Sequence, residues 1–272
     1  MKLTRLCYKL DDRLWFPNPD PNHSLLLDPT EEEEDLLLEG KLEIPSYEEL
    51  LKTLTPIDDM IAVEGDVRVE RLLLAYRYGI FPWFSFRSGP IQWCAPIKRF
   101  VIFPDEIHVS HSMRTLKNKH VYRVTFNTAF DQVIRACSTV DGRINEDGAW
   151  LGDDIIEAYT KLHELGHARS VEVWRGEKLV GGLYGVAVRK GFVGESMFSL
   201  EPNTSKLALI ALARQMQEQG GSLIDCQIRT PHLESLGGRY IEYKEYIDTL
   251  HGDKSVYEAC KESPYLGPER PQ

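Results

Sequence analysis

The stretch HARSVEVWRGEKLVGGLYGVAVRKGFVGESMFS, His167–Ser199, reads as consecutive strands and decides the fold. Valine and aromatic residues recur through it, which suits a pleated surface better than a helix. Its RGEK, Arg175–Lys178, is a tight hairpin signal, so the first two strands are expected to be antiparallel neighbours. Downstream, TSKLALIALARQMQEQGG reads as a helix capped by Thr204 or Ser205 and stopped at Gly220–Gly221. A short strand in GSLIDCQIRT follows, then a helix in TPHLESLGG, a strand over RYIEYKEY and an acidic tail. Upstream lie a strand in YRVTFN, a helix in AFDQVIRACST, a loop ending at Trp150 and a helix in DDIIEAYTKLHELG. Earlier still, RFVIFP reads as a strand and SHSMRTLKNK as a basic helix behind a serine cap. In DVRVERLLLAYRYGIFPWF, Leu72, Leu73, Ala75 and Tyr76 fall at helical spacing, and Gly79 closes that helix. No repeat is visible, and the fold class is mixed α/β.

The totals narrow the function. A chain of 272 residues, 42% hydrophobic, buries a core as one large or two ordinary domains. No apolar run approaches the roughly 20 residues of a membrane helix. The opening MKLTRLCYKLDD lacks the apolar core of a secretory signal. Cysteines at 7, 94, 137, 226 and 260 are odd in number and not closely paired, which favours reduced thiols and a cytoplasmic setting. The net charge of −10 is unevenly spread: residues 1–64 hold 16 acids against 6 bases, and the rest is balanced. Polyanion binding must therefore be judged from local clusters. Arg114, Lys117, Lys119 and Arg123, with no acid among them, form the one cluster suited to phosphate contacts.

Three constellations bear on chemistry. HELGH, His163–His167, matches a zinc-protease motif, but that chemistry needs both imidazoles on one face of a continuing helix. Gly166 reads as the terminal glycine of the helix and sends His167 elsewhere. In LIDCQI, period-two alternation puts Asp225 and Gln227 on one face and Cys226 on the other. The cysteine has no adjacent histidine to make a thiolate and reads as a small hydrophobe. Two uses remain open for Asp225 and Gln227: satisfying backbone at a sheet split, or meeting a ligand. Glu195, among Phe192, Met197 and Phe198, is an acid in an apolar wall and calls for a partner charge from protein or ligand. Trp83 and Trp150 stand in loop-like contexts that suit a pocket better than a core.

RLLLAYRYGIFPWFS, GAWLGDDIIEAYTKLHELGHARSVEVW, LVGGLYGVA, GESMFS, SKLAL and LIDCQI resemble, in order, the leucyl/phenylalanyl-tRNA–protein transferase family over about residues 65–250. The resemblance implies a smaller N-terminal domain, residues 1–97 with the acidic extension, and an acetyltransferase-like (GNAT-like) catalytic domain, residues 98–272. It implies transfer of Leu, Phe or Met from charged tRNA to the N-terminal Arg or Lys of a protein, marking that protein for degradation. It further implies that Asp225 and Gln227 are the catalytic pair, and that Glu195 faces the acceptor's cationic residue. Trp83, Trp150, Phe192, Leu183, Met197 and Met216 would line the aminoacyl pocket, and Arg114, Lys117 and Lys119 would meet the tRNA backbone. No cofactor, metal or membrane is implied. Gln92 and Leu183 depart from the family pattern, in which an aromatic residue and a methionine are usual. The rival reading, an acetyl-coenzyme A acyltransferase, needs a glycine-rich pyrophosphate loop. FSLEPNTSKL, Phe198–Leu207, has no glycine. A non-catalytic tRNA- or peptide-binding module is the other alternative.

Overall fold

A computed structural model describes residues 8–14, 16–17, 19, 59–83, 90–139, 144–145, 148–149 and 152–252. The decisive stretch forms three antiparallel strands, β9 (Ala168–Arg175), β10 (Lys178–Val188) and β11 (Gly191–Ser199). Gly176, at φ +58°, supplies the left-handed turn that the two-residue hairpin loop requires. These strands are the middle of a seven-stranded sheet. Its order is β13 (Arg239–Glu242), β5 (Lys98–Ile102), β12 (Ile224–Asp225), β11, β10, β9 and β6 (Arg123–Phe126). β12 runs parallel to β11 and antiparallel to β5.

Four strands form a second sheet in the order β1 (Tyr8–Leu10), β2 (Met60–Glu64), β4 (Gln92–Cys94) and β3 (Phe81–Trp83). A short pair, β7 (Ile144–Asn145) and β8 (Gly148–Ala149), stands apart. The helices are α1 (Val69–Arg77), α2 (His111–Asn118), α3 (Phe130–Thr139), α4 (Asp153–Glu164), α5 (Thr204–Glu218), α6 (Pro231–Glu234) and α7 (Tyr243–His251). Among the described residues no helix is long and apolar enough to cross a membrane.

Alternation along the meander fills both faces, which is why β10 is buried almost throughout. Leu183 and Phe192 join Val171, Val173 and the inner face of α5 (Leu207, Ile210, Ala213) in one core. Tyr184 and Val193, one residue along, join α3, α4, α1 and the four-stranded sheet in another. The two sheets therefore share a core, although the chain passes from one to the other between Cys94 and Lys98.

One irregularity positions an acid. Tyr184 pairs with Ser196 but Gly185 with Gly194, so Glu195 is the extra residue of a β-bulge. A bulge re-aims the side chain it carries. Gly185 makes the bulge possible, because a Cβ there would run into the Val193 carbonyl and the Phe192 ring.

Several sequence expectations are corrected. The N-cap of α5 is Asn203 in the left-handed conformation; Thr204 instead bonds the Val180 and Glu201 carbonyls, and Ser205 bonds Ser199. RYIEYKEY is a strand only to Glu242. Beyond it Tyr246, Ile247 and Leu250 recur at helical spacing and pack α7 against Val101 and Leu223. The LIDCQI strand ends at Asp225, since Gln227 takes φ +59°. HELGH follows its expected course: α4 ends at Glu164 and Gly166 lies at φ +84°. His163 then stacks on Phe130, ring centroids 4.3 Å apart, instead of facing His167 across a helical turn.

Candidate active site

β11 and β12 stay paired only through Phe192–Ile224 and Val193–Asp225. Beyond those pairs β11 runs on to Ser199 while the other strand turns away. The split opens a cavity of about 660 Å³, walled by apolar Trp83, Leu183, Phe192 and Met197 and by polar Glu195, Asp225 and Gln227.

Asp225 is fully buried. Its Oδ1 accepts the Gln227 backbone N–H at 2.8 Å, an Asx-type turn that holds Gln227 in its left-handed conformation. Its Oδ2 accepts the Tyr246 hydroxyl at 2.8 Å and lies 3.5 Å from Arg99 Nη1. Arg99 is itself fully buried, bonded to the Gly79 carbonyl and held between the rings of Phe81 and Tyr246, 4.9 and 4.7 Å from their centroids. Burial raises the Asp225 pKa, against the pull of Arg99 and the two hydrogen bonds.

Gln227 joins this anchor to the bulge, its Nε2 donating to Glu195 Oε1 at 2.9 Å. When Glu195 is ionised it only accepts, so the amide presents Nε2 to it and the Gln227 carbonyl oxygen is left as an acceptor. Tyr159 donates to Glu195 Oε2 at 3.0 Å, and Tyr76 bonds the Tyr159 hydroxyl from α1. Among the described residues Glu195 has no cationic partner, only these neutral donors. Burial lifts its pKa to about 7, with the Asp225 charge adding and the two phenols and Gln227 opposing. The phenols are themselves held well above their ordinary range, again by burial first, so they remain donors. The Cys226 thiol, pushed far up by burial, is no nucleophile, although it borders the cavity and does not pack wholly away from it.

The raised Glu195 pKa has a measurable consequence. Folded protein holds this proton more tightly than the unfolded chain does. Its stabilising effect is therefore fully present below pH 4.5 and lost as pH rises to about 7. The difference amounts to about 3 kcal/mol at most. Denaturant titrations at pH 5 and pH 8 should show a smaller decline for Glu195→Gln than for the unaltered chain; equal declines would contradict the assignment.

Of the sequence-derived pocket residues, Trp83, Leu183, Phe192 and Met197 share the cavity with Glu195, Asp225 and Gln227. Met216 does not: it lines a second cavity of about 210 Å³, which Phe192 also borders. Trp150 lies outside the described residues. Gln92 is buried beside Trp83, its register partner across β3 and β4. Arg114, Lys117 and Lys119 are exposed on α2 and its end, and Lys117 borders a groove between α2, β6 and α5. Sequence reasoning did not find Arg99, Tyr159, Tyr246 or the site role of Tyr76. The signal that could have found them is chemical: a buried arginine or phenol needs a polar partner.

The sequence matches the leucyl/phenylalanyl-tRNA protein transferase family over residues 101–251 and that family's N-terminal domain over residues 65–97. It is 49% identical over 193 residues to the leucyl/phenylalanyl-tRNA–protein transferase of Flavobacterium psychrophilum, covering 71% of this chain and 90% of that protein. With the same-named protein of Syntrophus aciditrophicus it shares 53% identity over 184 residues, covering 68% and 76%. With that of Syntrophobacter fumaroxidans it shares 43% over 224 residues, covering 79% and 92%. Among solved structures, L-PGS from Bacillus licheniformis overlays 70% of this chain and 63% of its own at 12% identity and a TM-score of 0.37. Relatives this close in sequence, matched through both parts of the chain, make it a member of the leucyl/phenylalanyl-tRNA protein transferase family.

Proposed function

We propose that this chain transfers Leu, Phe or Met from charged tRNA to the N-terminal Arg or Lys of acceptor proteins in the cytoplasm, marking them for degradation. Residues 98–272 serve in this reading as a GNAT-like catalytic domain and residues 1–97 as the domain that supplies Trp83 and Tyr76. The observation that carries the proposal is the bulged Glu195 joined to Gln227 and Asp225 on the wall of an apolar cavity.

The reaction is aminolysis of an activated ester and needs no covalent intermediate. The apolar wall receives the aminoacyl side chain, and the polar residues meet the incoming amine. Proximity does much of the work. An α-amino group titrates at about 7.7–8.0, so much of it is already neutral at cellular pH. The Gln227 carbonyl accepts a hydrogen bond from that amine and orients it. Asp225, through the turn it anchors, fixes the amide and stabilises the positive charge that develops on nitrogen. Glu195, held by neutral donors alone, pairs with the acceptor's cationic side chain.

The assay mixes Phe-tRNA with a labelled peptide beginning in Arg. Product is expected without acetyl-coenzyme A or added metal. No product, or product only with acetyl-coenzyme A, would overturn the proposal.

Three further results are expected. A slot of this kind discriminates by about 1–3 kcal/mol per methylene and excludes branching at Cβ by shape. Ile or Val misacylated onto the same tRNA should therefore transfer at least about tenfold more slowly than Leu; equal rates would contradict the slot. Exchanging Leu183 for methionine conserves volume and should cost little. Replacing Arg114, Lys117 and Lys119 together by alanine should weaken tRNA binding and flatten the log–log salt slope by about one for each phosphate that is no longer neutralised. An unchanged slope would move the tRNA off this helix.

A further inference from the structure

Three cations line the smaller cavity, and the reaction just proposed uses none of them. This cavity, of about 210 Å³, shares Phe192 with the larger one. Arg169, Arg189 and Lys190 border it, and no carboxylate does. Among the described residues neither Arg169 nor Lys190 has an ion pair or a side-chain hydrogen bond. Like charges gathered round one cavity repel one another, so the arrangement calls for an anion.

The fold holds these groups in place. Arg189 and Lys190 are the two loop residues of the β10–β11 hairpin, closed by the Val188–Gly191 pair. Arg189 takes φ +50° there, a left-handed position that ordinarily goes to glycine or asparagine. The Lys190 carbonyl accepts the Ser222 N–H at 2.7 Å, which ties the hairpin tip to the chain leaving α5. Asn127, after β6, also borders the cavity. Its Oδ1 accepts the Ser170 N–H at 2.9 Å, so its amide nitrogen is left as a further donor. The C-terminal end of α5 reaches the same cavity, and its last turn carries no basic residue. A helix end bears about half a negative charge, which offsets only a fraction of three cations.

The rest of the wall is apolar, with Val171, Leu212 and Met216 beside Phe192. A guanidinium fork and an ammonium suit a phosphate, and the apolar wall suits an organic body attached to it. Sites for drug-sized ligands run to about 300–1,000 Å³, so the body here is small.

We propose that this cavity binds a small phosphate ester, its phosphate against Arg169 and Lys190 and its apolar body against Phe192 and Met216. The site goes beyond aminoacyl transfer and does not depend on it.

Calorimetric titration of the full chain with phenyl phosphate tests the proposal. One equivalent should bind saturably with a Kd of about 1 mM or tighter. Inorganic phosphate, which lacks the ring, should bind at least about tenfold more weakly. Arg169→Met combined with Lys190→Met should weaken phenyl phosphate at least about tenfold, because hydrogen bonds to a charged group are lost. Lys178→Met removes the same charge from the β9–β10 hairpin, outside the cavity, and should change the affinity less than about twofold. Lys190→Met alone alters only an exposed hairpin tip. It should weaken binding at least about threefold and serves if the double variant does not fold. No saturable binding, or equal binding by the double variant, would overturn the proposal. So would equal affinity for inorganic phosphate, which would leave the apolar wall without a part. So would a double variant that loses affinity for tRNA while phenyl phosphate binds neither protein, which would give these cations to the tRNA backbone.

Discussion

Asp225→Asn should lower single-turnover transfer from Phe-tRNA by about 10²–10³-fold, the scale on which one preorganised electrostatic group contributes. Binding of the charged tRNA should stay within about twofold, since Asp225 lies beneath the site and does not face phosphate. The reasoning starts from the turn. Asp225 Oδ1 holds the Gln227 N–H, and Gln227 in turn holds Glu195. An asparagine oxygen can keep the first of these hydrogen bonds, but the negative charge is gone. The ammonium that develops as the amine attacks then loses its stabilisation. The substitution also strands the Arg99 guanidinium, so rates belong at a temperature well below the variant's melting point. Abolished tRNA binding with intact chemistry on the bound complex would reverse the role of this carboxylate.

The second large effect is one of stability. Arg99→Met should destabilise the protein by about 3–5 kcal/mol at pH 8, the usual cost of breaking a buried ion pair from one side. Arg99 and Asp225 are both fully buried, and Asp225 would keep only its neutral donors. A carboxylate can shed its charge by binding a proton, whereas arginine cannot lose one in a protein. The penalty should therefore shrink as pH falls toward 5. Combining Arg99→Met with Asp225→Asn should cost less than the sum of the single changes, because no charge remains without a partner. Denaturant melts at two pH values check both statements. A penalty independent of pH would place the effect in packing against Phe81 and Tyr246 rather than in charge.

What was legible in the sequence was local. The RGEK hairpin, the glycine that ends α4 and the serine cap of α2 each depend on a few neighbouring residues, and each stands where expected. The Asp225–Gln227 grouping was visible too, though for a partly wrong reason. Alternation put both side chains on one face, whereas the chain leaves the strand at Asp225 and reaches Glu195 through a left-handed turn. That turn depends on a hydrogen bond from backbone to the aspartate carboxylate, which hydropathy does not encode. Arg99 was invisible for a different reason. Its burial depends on Phe81, Gly79 and Tyr246, brought together from segments about 165 residues apart along the chain. The bulge at Glu195 needed the register of two strands, and only the assembled sheet supplies it. Met216 borders a neighbouring cavity, with Phe192 lying between the two.

In the proposed reaction one cavity holds the aminoacyl group against Trp83 and Leu183 with its ester carbon beside Gln227. A crystal structure with a stable phenylalanyl-adenosine amide tests this arrangement. The phenyl ring is expected against those two side chains, with the carbonyl carbon within about 3–3.5 Å of where an amine bonded to the Gln227 oxygen would sit. An analogue bound instead in the groove between α2 and α5, with the Asp225–Gln227–Glu195 chain untouched, would contradict it.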